Sequence, residues 1–253
     1  MSYATRQKEL RSQIGNPSEM VSDAAEQSRH AVVGTNGLIP VEPVLGNLTM
    51  VKAFVGTSLV LWLGAVVFLG GRGEFVEPPG TAPYPIALGF ALPLIVFFAG
   101  FWLSARFRDF LMAADLPLLT AVQAWRFAGF GFIALSVHRV LPGAFAWPAG
   151  LGDIAIGLTA PWLALALLRR PLLVTSRLFV VWNLLGILDL IVAVADGALN
   201  QLLATGAAGE ISIAPMAQMP LLLIPAFLVP LFIMLHLTGL FRAWRMAHST
   251  AVR

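Results

Sequence analysis

Residues 176–196 read SRLFVVWNLLGILDLIVAVAD, an apolar run entered through Ser176 and Arg177 and interrupted by Asn183, Asp189 and Asp196. A bilayer core of about 30 Å needs around 20 mainly apolar residues in helical form, and this stretch has the length. Five others match it: 50–70, 84–105, 118–138, 144–168 and 216–241. The expected fold is therefore all-α, a bundle of six transmembrane helices. Glycine and proline punctuate the connectors, at Gly70-Gly71-Arg72-Gly73, Pro78-Pro79-Gly80 and Pro142-Gly143. The segment Arg106-Phe107-Arg108-Asp109-Phe110-Leu111 reads as a short helix lying in the membrane interface.

Composition agrees. Of 253 residues, 58% are hydrophobic and 11% charged, and the mean hydropathy is +0.82. Soluble domains have roughly 45–50% apolar and about 25% charged residues, which excludes a water-soluble globular enzyme. The absence of cysteine excludes disulfides, CxxC redox pairs, iron–sulfur ligation and covalent c-type haem. The net charge of +3 arises from few charges. No basic stripe interleaved with aromatics points to a nucleic-acid partner.

The chain divides into three parts. Residues 1–48 carry nine of the charged residues and no long apolar run, and read as a polar N-terminal arm. Within it Asn16-Pro17-Ser18-Glu19 resembles a helix start, predicting a short helix over about 17–30. Residues 49–242 form the six-span domain and 243–253 a tail. With so polar a lead the first span is expected to act as the insertion signal. Lysine and arginine set the orientation. Thirteen fall on one side of a six-span arrangement, including Lys52, Arg106, Arg108, Arg169, Arg170, Arg177, Arg242 and Arg245; Arg72 and Arg139 fall on the other. Positive residues favour the cytoplasm, so both termini are expected there, in a multi-pass protein of a bacterial inner membrane.

A charged side chain at the centre of a membrane helix costs about 2.5–3.5 kcal/mol on insertion scales and usually faces the bundle interior. Span three holds Gln123, Arg126 and, at its outer end, His138; span four holds Asp153; span five holds Asn183 and Asp189. In span six, Gln218 is expected near the outer end and His236 near the inner end. At 1.5 Å per residue Asp153 and Asp189 come out near the midplane and Arg126 roughly 10–12 Å from the cytoplasmic edge. An arginine reaches far enough along its helix for the three to converge if spans three, four and five are neighbours. Small residues support this: Gly150, Asp153 and Gly157 share one helix face, as do Gly186, Asp189 and Ala193. Two carboxylates against one guanidinium in a low dielectric is unfavourable, so one aspartate is expected to hold a proton. A structural ion pair, a proton or cation site, and a site for a polar substrate group all fit this pattern. Pro215, Pro220, Pro225 and Pro230 predict a kinked sixth helix, of the sort that lines transporter cavities or merely packs.

Other chemistry leaves no trace. There is no HExxH, histidine box, GxSxG elbow or Walker A loop, and no cluster of metal ligands. His138 and His236 are expected near opposite faces and so cannot both ligate one haem, although haem b on a single histidine stays open. The residues Phe145-Ala146-Trp147-Pro148-Ala149-Gly150-Leu151-Gly152-Asp153, the stretch Trp182-Asn183-Leu184-Leu185-Gly186-Ile187-Leu188-Asp189 and the proline-rich last span resemble a family of bacterial polytopic membrane proteins with no assigned activity. The resemblance covers roughly 84–241, omits the arm, and implies a membrane bundle without implying a reaction.

The leading functional expectation is a small proton-coupled transporter or permease-like protein, with Arg126, Asp153 and Asp189 at its centre. Gln123 and Asn183 would support them, and His236 and His138 are possible accessories. The alternative is a non-catalytic subunit or assembly factor of a larger membrane complex, docking through the arm, with a homodimer as a simpler assembly. A membrane enzyme acting on lipid or quinone comes third.

Overall fold

The computed structural model describes the backbone of residues 42–250 and the side chains of 49–248. The arm, with its expected helix over about 17–30, lies outside these residues apart from its last few. The described residues form eight α-helices and no strand: α1 (Glu42–Gly71), α2 (Tyr84–Leu103), α3 (Ala105–Ala113), α4 (Leu116–Val122), α5 (Phe130–Val137), α6 (Gly143–Arg169), α7 (Arg177–Leu203) and α8 (Val229–Thr250). Six segments are long and apolar enough to cross a membrane: Thr49–Gly71, Tyr84–Leu103, Leu116–Val137, Gly143–Arg169, Arg177–Leu203 and Ile224–His248.

Helix starts are written in the local chemistry. Ser104 caps α3 by accepting the Phe107 N–H at 3.2 Å, and Ser176 caps α7 by accepting that of Phe179 at 3.2 Å. Asp115 does the same for α4 through Leu118, also at 3.2 Å. Each cap satisfies an N–H that the first turn leaves without an intrahelical partner. The expected interfacial helix is α3. Its apolar side packs Leu111 inward, while Phe107 meets Phe97 of α2 edge-on with centroids 5.8 Å apart.

Span three is composite. Between α4 and α5 it tightens into a 3-10 helix over Gln123–Gly129, which lies along α6. Glycines allow the approach: a Cβ on Gly129 would fall 2.7 Å from the Gly150 carbonyl, and one on Gly150 would fall 2.9 Å from the Gly129 carbonyl. The N-terminal end of α6 packs Phe145 and Ala146 against Phe132, Ile213 and Met216. Its C-terminal end packs Leu163 and Leu167 against Leu116, Val174 and Phe179. α7 and α8 close the bundle through Leu190, Val229, Phe232 and Ile233. By contrast α1 touches the rest through its C-terminal half, where Val66 joins Phe75, Leu222 and Ala226. Met50, Phe54, Val60 and Leu61 of α1 are exposed.

Span six departs from expectation. In place of a kinked helix from Met216, a 3-10 turn spans Ala214–Ala217, Gln218 is extended, and a π-turn spans Ile224–Leu228 before α8 begins. The prolines explain the breaks. A proline has no N–H to donate, so it sits most easily in a helix's first turn and distorts the helix elsewhere. Pro215 opens the 3-10 turn and Pro225 the crossing helix Ile224–His248, whereas Pro230 lies inside that helix directly after the π-turn, a distortion of the kind expected of it. Two boundaries move with them. His236 lies midway along the crossing segment Ile224–His248 instead of near its inner end. α8 also runs on through Thr250, past the expected limit at 242.

Candidate functional site

The 3-10 segment sets the site's geometry. At three residues per turn the side chains at i and i+3 eclipse, so Gln123, Arg126 and Gly129 stack along one edge, and all three are buried. In an α-helix the same spacing would fan them over more than a quarter turn. The segment's seven residues exceed the three or four at which such helices usually stop, and a mid-helix stretch of this kind often marks a functional hinge. Its longer rise also lifts Arg126. Counting from Leu116, α-helical and 3-10 rises place it about 17 Å into the span. That is level with the carboxylates and deeper than the uniform helical rise predicts.

Arg126 is the hub. Its Nε donates to Asp153 Oδ1 at 2.6 Å and its Nη2 to Asp189 Oδ2. Its Nη1 donates to the Gly186 carbonyl at 3.3 Å and to His236 Nε2 at 3.4 Å. A guanidinium only donates, so Nε2 of His236 accepts and the ring hydrogen sits on Nδ1. That hydrogen is given to Asn183 Oδ1 at 2.9 Å, and Asn183 Nδ2 donates to the Phe179 carbonyl at 2.8 Å. The chain of donors thus runs one way, from Arg126 through His236 and Asn183 to the backbone of α7. Trp182 covers the imidazole with ring centroids 5.2 Å apart, held by its Nε1 donating to Thr159 Oγ1 at 2.8 Å.

Small residues make room for these groups. A Cβ on Gly186 would strike the His236 ring, one on Gly152 the Asp189 carboxylate, and one on Gly157 the backbone of Arg126 and Phe127. Asp153 projects from the inward face of α6, one turn from buried Ala149 and Gly150 on one side and Ile156 and Gly157 on the other. Even so, the Asp153 and Asp189 side chains remain 16% and 19% exposed, while Arg126 is 1% exposed. Both carboxylates thus keep part of their surface uncovered, whereas their shared cation is enclosed. One partner is missing. Gln123 Nε2 donates to the Phe232 carbonyl at 3.3 Å, but its buried Oε1 has no partner, alone among buried side-chain polar atoms of the described residues.

Of the residues singled out from the sequence, Arg126, Asp153 and Asp189 meet directly. Asn183 joins them through His236, and Gln123 lies one 3-10 turn along the same edge without touching the guanidinium. His138 is exposed at the end of α5 and takes no part. Gly129 and Gly152 were not legible as site residues. The three-residue spacing Gln123, Arg126, Gly129 was the available signal for the first, and the adjacency of Gly152 to Asp153 for the second. Among the described residues no group of three histidine or acidic side chains is placed to hold a metal ion.

A family model described as a domain of unknown function, DUF8737, matches residues 83–243. The match contains every residue of the site and leaves out α1. No curated protein and no solved structure matches the chain.

Proposed function

The chain belongs to the DUF8737 family, and from its own residues we propose that it is a small proton-coupled transporter or permease-like protein of the bacterial inner membrane, working through Arg126, Asp153 and Asp189. One observation carries the reading: two partly exposed carboxylates share a single enclosed guanidinium. A proton reaching either aspartate neutralises it, releasing its hold on Arg126 while the other keeps it. The 3-10 stretch of span three, which carries Arg126, is the element able to respond, since irregular backbone at membrane depth is tolerated where it is buried in protein or lines a cavity. The distribution of arginine and lysine supports both termini in the cytoplasm.

The test is proton uptake into vesicles containing the purified protein and a trapped pH-sensitive dye, driven by a potassium diffusion potential. Wild type is expected to acidify the lumen and both Asp153→Asn and Asp189→Asn to abolish the uptake. Glu77→Gln, in a loop away from the site, should leave it intact. Wild-type vesicles as tight as empty ones, or both asparagine variants conducting normally, would overturn the proposal.

A second reading, a non-catalytic subunit of a larger membrane complex, draws on α1, which is apolar on all sides and mostly unpacked. It predicts a stoichiometric partner after mild-detergent extraction that is lost when residues 1–48 are deleted.

A further inference from the structure

At the end of the bundle that gathers most of the arginines, α3 and the last turns of α8 form the walls of an open groove of about 440 Å³. One wall presents Asp109, Met112 and Ala113, spaced so that they share a face of α3; the other presents Arg242, Arg245 and Met246, with the same spacing on α8. Arg106 lies one turn before Asp109 on the same face of α3, beyond the groove's lining, and is exposed. Arg108 is occupied elsewhere, its Nη1 donating to the carbonyls of Phe101 and Trp102 at 3.0 Å each. The Arg242 Nη1 donates to the Ala114 carbonyl, bracing the groove's end and holding that guanidinium in place. The groove thus has a methionine on each wall and two guanidiniums against one carboxylate, with a third guanidinium, Arg106, one turn beyond. Trp102 and Trp244 are exposed nearby in sequence on α2 and α8, in keeping with the belt of tryptophan at headgroup level.

We propose that this groove is a binding site for an anionic phospholipid, with the phosphodiester held by Arg242 and Arg245, Arg106 at the entrance, and the glycerol and first acyl carbons against Met112 and Met246. Guanidiniums suit the phosphate because their planar donors grip two oxygens at once. Position favours a lipid over a soluble anion: α3 is a short helix joining two spans at this end, and apolar side chains contribute to both walls. The site is independent of the Arg126 centre.

The experiment uses the full chain, delipidated in detergent, with thermal unfolding followed by tryptophan fluorescence as phosphatidylglycerol, phosphatidylcholine or inorganic phosphate is added. Phosphatidylglycerol is expected to stabilise at a concentration at least about fivefold below that needed with phosphatidylcholine, and phosphate to do nothing. Each removed charge should raise the phosphatidylglycerol midpoint about fivefold, so that Arg106→Gln with Arg245→Gln raises it about 25-fold. Arg245→Lys should retain most of the effect and Arg139→Gln, at the other end of the bundle, all of it. Arg242 is left in place because it also braces Ala114. Equal stabilisation by the two lipids, an unshifted midpoint in the double variant, or stabilisation by phosphate alone would each overturn the proposal, the last by identifying a soluble anion.

Discussion

Spans four and six differ from spans one and two in almost everything but hydropathy. All four are apolar enough to cross a membrane, yet 39% and 50% of the apolar windows of spans four and six lie inside the protein, against 11% and 6% for spans one and two. Apolar character is therefore no guide to burial here, because lipid tails are as good a solvent for leucine as another helix is. What separates the regions is where small and polar residues lie. In α6 and α7 a Cβ on Gly152, Gly157 or Gly186 would collide with a neighbour, whereas Gly56 and Gly64 of α1 have nothing within 4 Å. Gly56 and Gly64 are passengers, unlike Gly70 at the end of α1, where a Cβ would strike Leu222. The glycines of α6 and α7 are the reason that helices can close around Arg126.

The comparison breaks most severely at Arg126. Replacing it with leucine leaves two carboxylates in a low-dielectric interior without their cation, and breaking such buried pairs costs about 3–5 kcal/mol. The folded, monodisperse fraction in detergent should fall sharply, and adding Asp153→Asn with Asp189→Asn should recover part of it. No single substitution in α1 is expected to approach this loss.

Matched glycine substitutions sharpen the contrast. Gly186→Ala places a methyl group against the His236 ring and should cost about 1–3 kcal/mol as overpacking, read as a lowered unfolding midpoint. Gly64→Ala adds the same methyl group in open surroundings and should be neutral or stabilise by about 0.5–1 kcal/mol, since glycine weakens a helix interior. Equal effects at the two positions would erase the distinction between the regions.

The smallest effect lies outside both. Glu210 accepts N–H bonds from Thr205 at 3.0 Å, Gly206 at 2.7 Å and Ala207 at 3.2 Å, and the bond from Thr205 leads in holding its carboxyl below the ordinary value of 4.5. A group whose folded pKa is depressed contributes order above its ordinary pKa and loses it as pH falls through the depressed value. Amide exchange at Thr205, Gly206 and Ala207, corrected for intrinsic rate, should therefore rise as the pH falls through that depressed value, while the spans stay protected. Protection unchanged in acid would show that the loop is held by other contacts.

The convergence of Arg126, Asp153 and Asp189 was legible in the sequence, because depth follows from residue count and an arginine on a neighbouring span reaches two midplane carboxylates. His236 sits elsewhere than expected for a definite reason. The residues from Met216 to Leu223 form turns and not the start of a helix, so the crossing segment Ile224–His248 begins eight residues later than the expected start at 216. The 3-10 stretch was illegible from hydropathy, which reports apolar length and not the tightness of a turn.

Sequence alone was enough for the membrane class and for the number of crossing segments, since both depend on distance along a single chain. Tertiary structure decided the level of Arg126 and His236 and which side chains touch: the one-way donor chain from Arg126 to Asn183, the two partly exposed carboxylates on one enclosed cation, and the groove between α3 and α8. Those depend on the rotation of each helix about its axis and on how nearly two backbones approach, and such quantities are settled only when every span packs against its neighbours at once.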